Sequence, residues 1–472
     1  MVRKFLASYS NNGRSDTLGL QLFDLLVKRR RKLSNRDCSV ILFGADEKNR
    51  IRVLKSRLKH RILDALTTDL ILENQQYDND VKLSIQLKKK LAQFQTLFYS
   101  KKTNLKIIIS LLEDVIIKAT KYELFSILIE ALIMKKVVVG FKAGLKEYDE
   151  IDLATVSATN SNMTKTNIMN NYYRILLSYR TDHTSRSIRA LLKKSINEGE
   201  QLLKKGDSKI GRYYMNIIKY AYYLELKNYK LAANSMKDQV ILLTGSEVVY
   251  RTERLGATYD YLCEIELKNG EYEMAASYAE KAVSCFKKGE MNYTVARELA
   301  FRSCLYAQQV DKAEKAVKDM IRYYDNPFDK HRTSTHRFFL ANLYFAKKDF
   351  RRCSRMLAEP YEFNKDKTGW EFNLKMLSIM CLVEQNKIDD AYEMLVNYTR
   401  ILIRNKLKGE LNERNHTILA LLEKWLSDGA NSSIVKLKRL ELWKKLNSGG
   451  LDWDPLKSEL IPFHQWISDK IS

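Results

Sequence analysis

Proline and glycine are scarce in this sequence, so the residues that most often interrupt helices are few. The 472 residues contain four prolines and 17 glycines. Leu, Lys, Ile, Glu and Ala fill long amphipathic runs, and such runs favour helices. The β-branched runs at 137–139 and 248–249 are short and continue helical patterns, so no sheet is predicted. The sequence therefore predicts an all-α protein, and its length predicts several domains or a solenoid instead of one compact core.

Motifs that carry chemistry are also missing. No phosphate-binding glycine loop, nucleophile elbow, zinc-finger spacing or HExxH motif occurs in the sequence. His331 and His336 lack neighbouring cysteines and the helical HxxxH spacing, so they do not predict a metal site. The sequence predicts a non-enzymatic protein with no catalytic, cofactor-binding or metal-binding residues.

Cysteine pairs, a secretion signal and a membrane span are absent as well. The six cysteines stand singly, which is typical of buried thiols in a reducing compartment. The apolar stretch Phe5–Ala7 is too short for a signal peptide. The most apolar segment, Leu105–Ile117, is interrupted by two acidic residues and is shorter than the roughly 20 residues of a membrane span. We therefore expect a cytoplasmic protein that does not span a membrane.

Positive charge is abundant and is concentrated at the start of the chain. The 81 basic and 57 acidic residues give a net charge of +24, and residues 1–70 alone carry 16 basic and seven acidic residues, a net +9. A helix, a short helix and a longer basic helix follow one another in this region, which is also the order of a helix-turn-helix reader of DNA. The alternative is a helical cap whose basic side faces water. The basic residues that would contact phosphate are Arg52, Lys55, Arg57, Lys59 and Arg61.

A helix–turn–helix between Tyr259 and Phe286 is the clearest local motif. Its first helix is predicted to end at Asn269-Gly270, a pair that accepts the left-handed conformation of a helix end. Small residues on its second helix let a neighbouring helix approach closely. Similar turns precede small residues at 232, 313, 353 and 391, so that with Ala275 the spacings are 43, 38, 40 and 38 residues.

This pattern resembles the tetratricopeptide repeat (TPR), whose usual period is roughly 34 residues. Leu340, Ala341 and Tyr344 match the first-helix signature of that family, whereas its closing proline is missing. The resemblance covers residues 213–402 and implies an α-solenoid of antiparallel helix pairs, a TPR-like superhelix. The whole chain also resembles uncharacterised bacterial TPR-like proteins with a basic helical head and an aromatic tail, a resemblance that implies no particular activity.

Four regions are predicted along the chain. Residues 1–70 form the basic helical head, 71–153 divergent helical hairpins, 165–410 the TPR-like repeats (clearest at 213–402), and 411–472 a C-terminal helical cap. The Ser, Thr and Asn residues between Ala154 and Lys165 predict a loop or an internal boundary. The aromatic tail, residues 451–472, is predicted to cover the last apolar face of the stack.

The TPR resemblance implies that partners contact the concave face formed by the first helices. Only Asn342 and Arg302 are of the types used by the family's peptide-carboxylate clamp, so recognition of a terminal carboxylate is not predicted. The alternative is that these side chains pack against neighbouring helices or face water. The family positions fall on Asp260, Glu264, Glu298, Arg302, Leu305, Phe338, Asn342, Phe345, Met376 and Met380.

Two functions remain open from the sequence. The first is a non-enzymatic scaffold or adaptor that binds protein partners through the concave face. The alternative is a regulator whose basic head binds nucleic acid and whose repeats sense a ligand or partner. A subunit of a large assembly would show the same surface as the first. The partner, the pathway and the oligomeric state are not predicted.

Overall fold

The computed structural model describes residues 3, 6–7, 14–28, 33–69, 79–100, 105–181, 185–324, 328–363, 366–430, 441–447 and 451–471. The predicted boundaries at residues 70 and 71, and residues 431–440, 448–450 and 472 of the predicted cap, lie outside this range. The described residues contain 21 α-helices with defined first and last residues and one short 3₁₀ helix, and they contain no strand. Most neighbouring helices pack against each other along the chain, so the all-α prediction is confirmed.

The chain divides into two compact units, Met1–Asn162 and Met163–Ser472. In the first unit, α1 to α3 surround Leu22, Cys38 and Ile51, and α4 to α6 surround a second apolar cluster that includes Leu112. Ser34 caps α2, because its hydroxyl accepts the N–H of Asp37 while the Asp37 carboxylate accepts the Ser34 N–H. The helices are α1 Arg14–Lys28, α2 Asn35–Phe43, α3 Lys48–Asp69, α4 Asn79–Ser100, α5 Leu105–Lys121 and α6 Phe125–Ala143.

The next helix, α7, runs from Leu145 to Arg180, so residues 154–165 are helical and the predicted loop is wrong. The alternative prediction for this segment was an internal boundary, and the division between the two compact units, after Asn162, falls within it. The Ser, Thr and Asn side chains that suggested a loop are satisfied by the helix itself. Thr155 Oγ1 donates to the carbonyl of Ile151 at 2.7 Å, and Thr159 Oγ1 donates to the carbonyl of Thr155 at 2.8 Å. The helix therefore continues through its Ser, Thr and Asn residues.

The second unit continues with shorter helices, which pack mainly against the next helix in the chain. Their bounds are α8 Ser185–Lys205, α9 Lys209–Glu225, α10 Tyr229–Thr244, α11 Thr252–Asn269, α12 Tyr272–Cys285, α13 Met291–Tyr306, α14 Val310–Tyr323, α15 Lys330–Ala346, α16 Phe350–Leu357, α17 Trp370–Glu384, α18 Ile388–Arg404, α19 Glu413–Ser427, α20 Glu441–Asn447 and α21 Phe463–Ile471.

A helix ends at each of the five turns identified from the sequence. One residue in each turn has positive φ: Lys227 (55°), Gly270 (83°), Gln308 (59°), Lys348 (59°) and Asn386 (59°). The N–H of the next residue returns to the carbonyl five residues earlier, as when Glu271 N donates to Glu266 O at 2.9 Å. Four of the five turns therefore adopt the left-handed conformation without glycine.

The five small residues that follow these turns lie at close helix contacts. Each is fully buried, at 0% exposure: Ala232, Ala275, Ala313, Cys353 and Ala391. Because a side chain of one or two heavy atoms leaves little bulk, the neighbouring helix can approach at these positions.

The C-terminal tail, residues 451–471, returns to the helices before it. It begins as an irregular segment and ends as α21. Leu460, Phe463, Trp466 and Ile467 belong to the same buried cluster as residues of α13, α15, α17 and α19. The tail therefore contacts helices far from it in sequence.

Candidate partner-binding face

The ten predicted partner-contact residues lie on four helices, and we call them the first-helix face. Eight of the ten side chains are buried, and the other two, Glu264 and Glu298, are partly buried. Part of this face is covered by the tail. The residues are Asp260 and Glu264 on α11; Glu298, Arg302 and Leu305 on α13; Phe338, Asn342 and Phe345 on α15; and Met376 and Met380 on α17.

Arg302 makes the most direct contact with the tail. Its Nη1 donates to the carbonyl oxygens of Pro455, at 2.9 Å, and Lys457, at 2.7 Å. The guanidinium lies over the ring of Phe339, 5.0 Å from its centroid. The side chain is 5% exposed, and no carboxylate in the described part of the chain lies within ion-pair distance of it. Arg302 therefore donates hydrogen bonds to main-chain oxygens of the tail.

Tyr306, one turn after Arg302 on α13, adds two contacts. Its hydroxyl donates to the carbonyl of Pro455 at 3.3 Å, and its ring meets the edge of Trp453 with a centroid separation of 4.8 Å. Burial raises the pKa of the Tyr306 hydroxyl, so it remains a donor at neutral pH. Two donors from one helix thus converge on a single carbonyl.

The next part of the tail meets the apolar end of the first-helix face. Phe338, Met376 and Met380 line a narrow cavity together with Leu460 and Phe463 of the tail. Asn342 lines the same cavity, but its side-chain amide donates to the carbonyl of Phe338 on its own helix, at 2.8 Å. Asn373, also on this cavity, donates to the hydroxyl of Ser458 at 2.9 Å.

Three of the predicted residues serve contacts between helices. Phe345 packs against Phe350 with ring centroids 5.4 Å apart, and Leu305 lies in the main buried cluster. Glu298 forms an ion pair with Arg332, in which Glu298 Oε1 lies 2.7 Å from Arg332 Nη1. These three positions match the alternative that was left open from the sequence.

Asp260 and Glu264 form a buried acidic pair one turn apart on α11. Burial, followed by the charge of Glu264, raises the pKa of Asp260 to about 8, and Asp260 Oδ1 has no hydrogen-bond partner among the described residues. Burial also raises the pKa of Glu264, which accepts a hydrogen bond from the Tyr220 hydroxyl at 3.1 Å. The charge of the nearby Asp454 in the tail also raises the pKa of Glu264, whereas the charge of Lys268 lowers it. Asp260 is therefore largely protonated at neutral pH.

A buried ion pair fixes the tail beyond this point. Arg414 on α19 donates from Nε and Nη2 to the two carboxylate oxygens of Glu459, at 2.6 and 2.7 Å. The Arg414 Nη1 donates to the carbonyl of Leu451 at 2.6 Å. One arginine therefore holds two points of the tail.

Sequence reasoning missed Tyr306, Asn373 and Arg414. Tyr306 continues the four-residue spacing from Glu298 to Arg302, so that spacing was a usable signal. Asn373 lies one turn before Met376 on the same helix. Arg414 lies beyond the last recognised repeat, and nothing local in the sequence distinguishes it from the other surface-type arginines.

The comparisons with other proteins add no identity. No protein-family model matches this chain, and no curated protein matches it.

The basic residues predicted to contact phosphate lie on α3. Arg52, Arg57 and Lys59 are exposed, whereas Lys55 Nζ donates to Asn35 Oδ1 at 2.7 Å and Arg61 is partly buried. The opposite side of the helix buries Ile51, Leu54 and Leu58 in the apolar cluster of the first three helices. Three of the five basic side chains predicted to contact phosphate are thus exposed to solvent.

The described residues include no group of three or more His, Cys, Asp or Glu side chains that could hold a metal ion. His331 contacts the rings of Phe363 and Trp370, and His336 contacts Tyr324, so the two histidines have different surroundings.

Within the described ranges, no helix has the length and apolar character needed to cross a membrane.

Proposed function

We propose that this chain is a non-enzymatic helical-repeat scaffold or adaptor, a TPR-like superhelix of antiparallel helix pairs, which binds segments of partner proteins on the concave face of its first helices. The observation that carries the proposal is the position of the tail. A non-helical segment lies on predicted contact residues, with Arg302 donating to two of its main-chain carbonyls. A face that holds one segment of its own chain has the chemistry to hold a similar segment of another protein.

Three kinds of contact support this proposal. Arg302 and Tyr306 bind main-chain oxygen, Asn373 binds a side-chain hydroxyl, and Phe338, Met376 and Met380 offer apolar surface. Main-chain donors give affinity for many sequences, whereas apolar pockets select particular side chains. This combination suits a binding module.

We also propose that the protein acts in the cytoplasm. All six cysteines are free thiols, and five of them are buried. Free buried thiols are usual in reducing compartments.

The test is capture of partners by the full-length tagged protein, from extract treated with nuclease, followed by binding measurements with the purified partner. The Arg302→Lys variant keeps the charge but loses the planar guanidinium that lies over Phe339 and places Nη1 between the two carbonyls. In a protein that also carries Trp453→Ala and Asp454→Ala, which weaken the tail's own contact with this site, we expect it to weaken partner binding by about tenfold, the effect of losing about 1.4 kcal/mol. Arg332→Lys, a matched change on α15 at an arginine that pairs with Glu298, should leave the affinity unchanged. Equal affinity with and without Arg302→Lys in that background would exclude Arg302 from the binding site.

The second candidate is a nucleic-acid-binding regulator, favoured by the exposed Arg52, Arg57 and Lys59 on α3. Reversing the charge at Arg52, Lys55 and Lys59 should then abolish binding of duplex DNA or RNA by the full chain. The affinity of the wild type should fall steeply between about 50 and 200 mM salt. Absence of binding at low salt would remove this candidate.

A further inference from the structure

The tail has two parts that differ in how firmly they are held. We call residues 452–458 the strap and residues 459–467 the anchor. The anchor includes Leu460, Phe463 and Ile467, which are 1%, 2% and 0% exposed. In the strap, Asp452 and Lys457 are exposed and only Pro455 is buried. The strap is therefore the part of the tail that can leave the first-helix face while the core stays intact.

The strap forms a turn with a recognisable sequence. Lys457 N donates to Asp454 O at 3.1 Å, and Asp454 Oδ1 accepts the N–H of Leu456 at 3.1 Å. Pro455 occupies the second position of this turn, where its fixed φ is favoured. The turn directs the carbonyls of Pro455 and Lys457 toward Arg302. An aromatic residue followed by Asp-Pro thus supplies the shape that Arg302 and Tyr306 bind.

The contacts that hold the strap are replaceable. Three are hydrogen bonds to two main-chain carbonyls, those of Pro455 and Lys457, which any segment with the same turn presents. The ion pairs Lys268–Asp454 and Lys227–Asp452 are both 3.7 Å long, and the second joins largely exposed side chains. Such pairs add little stability. When the strap leaves, water can solvate the freed guanidinium of Arg302, so no charge is left buried without a partner.

From these observations, and resting on the function proposed above, we infer that the strap is an internal competitor. It occupies the Arg302–Tyr306 site until a partner protein presents a segment of the same chemistry, an aromatic residue followed by an Asp-Pro turn. Because the strap is tethered, its effective concentration is on the order of millimolar, so a free segment binds only weakly while the strap is in place. Partner binding therefore includes displacement of the strap.

The experiment measures binding of a fluorescent, end-blocked peptide of residues 451–459 to full-length proteins by fluorescence anisotropy. The first protein is the wild type. The second, the strap variant, carries Trp453→Ala and Asp454→Ala, two partly exposed positions. We expect the strap variant to bind the peptide at least about tenfold more tightly, because its own strap no longer competes. A peptide with Ala in place of Asp454 and Pro455 should bind neither protein.

Two further proteins test the clamp itself. Adding Arg302→Lys to the strap variant should weaken peptide binding about tenfold, because the planar guanidinium that lies over Phe339 and carries the shared donor Nη1 is lost. Adding Arg332→Lys, a matched change at an arginine that does not contact the tail, should have no effect. Circular dichroism and thermal melting check that all four proteins are folded.

Each outcome decides a different point. Equal affinity of wild type and strap variant overturns the competition but leaves the binding face standing. Absence of peptide binding to the folded strap variant overturns the proposed partner site. Binding that does not change with Arg302→Lys overturns the clamp. A stable wild-type dimer by light scattering that dissociates in the strap variant would show that the strap acts between two copies, which overturns its internal role.

Discussion

Arg414 and Glu459, 45 residues apart in the chain, form a two-point ion pair in which both side chains are only 10% exposed. Glu459 Oε1 also accepts the N–H of Phe463, at the start of α21. The pair therefore joins α19 to the tail and also orders the beginning of the last helix.

Replacing Glu459 with Gln should destabilise the second unit by about 3 kcal/mol, because the buried guanidinium of Arg414 loses its countercharge. Urea unfolding followed by tryptophan fluorescence measures this, since all five tryptophans lie between Trp370 and Trp466. Glu362→Gln is the control: its pair with Lys330 is exposed and should contribute less than about 1 kcal/mol. Equal midpoints for the two variants would contradict the prediction.

Replacing Ala275 with Leu should destabilise the protein by about 1–3 kcal/mol, because the added atoms have no space where α12 meets its neighbours. The same change at the exposed Ala154 of α7 should have almost no effect. Thermal melting of both variants provides the comparison. If the Ala275→Leu variant has the same melting temperature as the wild type, the protein does not need the close approach of a neighbouring helix at Ala275.

Stability should depend on pH through Asp260. Its pKa is about 8 in the folded protein and about 3.9 in an unfolded chain. Between these values the folded state binds a proton that the unfolded state releases, so the free energy of unfolding falls as pH rises, by up to about 1.4 kcal/mol per pH unit.

The Asp260→Asn variant removes this titration, so its urea midpoint should fall less steeply than that of the wild type between about pH 5 and pH 8. Asp238→Asn, at an exposed position on α10, should keep the wild-type slope. Parallel pH profiles for the wild type and Asp260→Asn would show that Asp260 titrates at an ordinary pKa.

Helix α7 gives a test of the segment that the sequence assigned to a loop. Ser157→Pro removes a backbone donor inside the helix and should cost about 3 kcal/mol, with a visible loss of helical circular dichroism. Ser157→Ala, which keeps that donor, should melt close to the wild type. A proline tolerated at this exposed position would support the loop instead.

Local chemistry explains why the repeat turns were predictable. A polar turn followed by a small residue marks a helix end and a close contact, and both signals lie within a few residues of each other, as at Gly270 and Ala275. The loop predicted at 154–165 failed because composition outweighed spacing. Ala158, Ser161, Thr164 and Ile168 are buried at intervals of three, three and four residues, which is the spacing of one face of a helix.

The partner face was less accessible from sequence. The TPR resemblance pointed to Arg302 and Phe338, but it did not distinguish a side chain that meets the tail from one that packs between helices, such as Phe345. The contact between Arg302 and Pro455 joins residues 153 apart, and no local pattern encodes such a pairing. The aromatic residues of the tail predicted a cover for the last helices, but not its extension back to α13.

The position of the tail also fixes when this face can be closed during synthesis. Residues 451–467 follow in sequence every helix that they cover, so they leave the ribosome after α13, α15, α17 and α19. Until then Phe338, Met376 and Met380 lack the cover that Leu460 and Phe463 provide. A nascent chain is therefore distinguishable from a finished one by its exposed apolar surface, which is the property that chaperones bind.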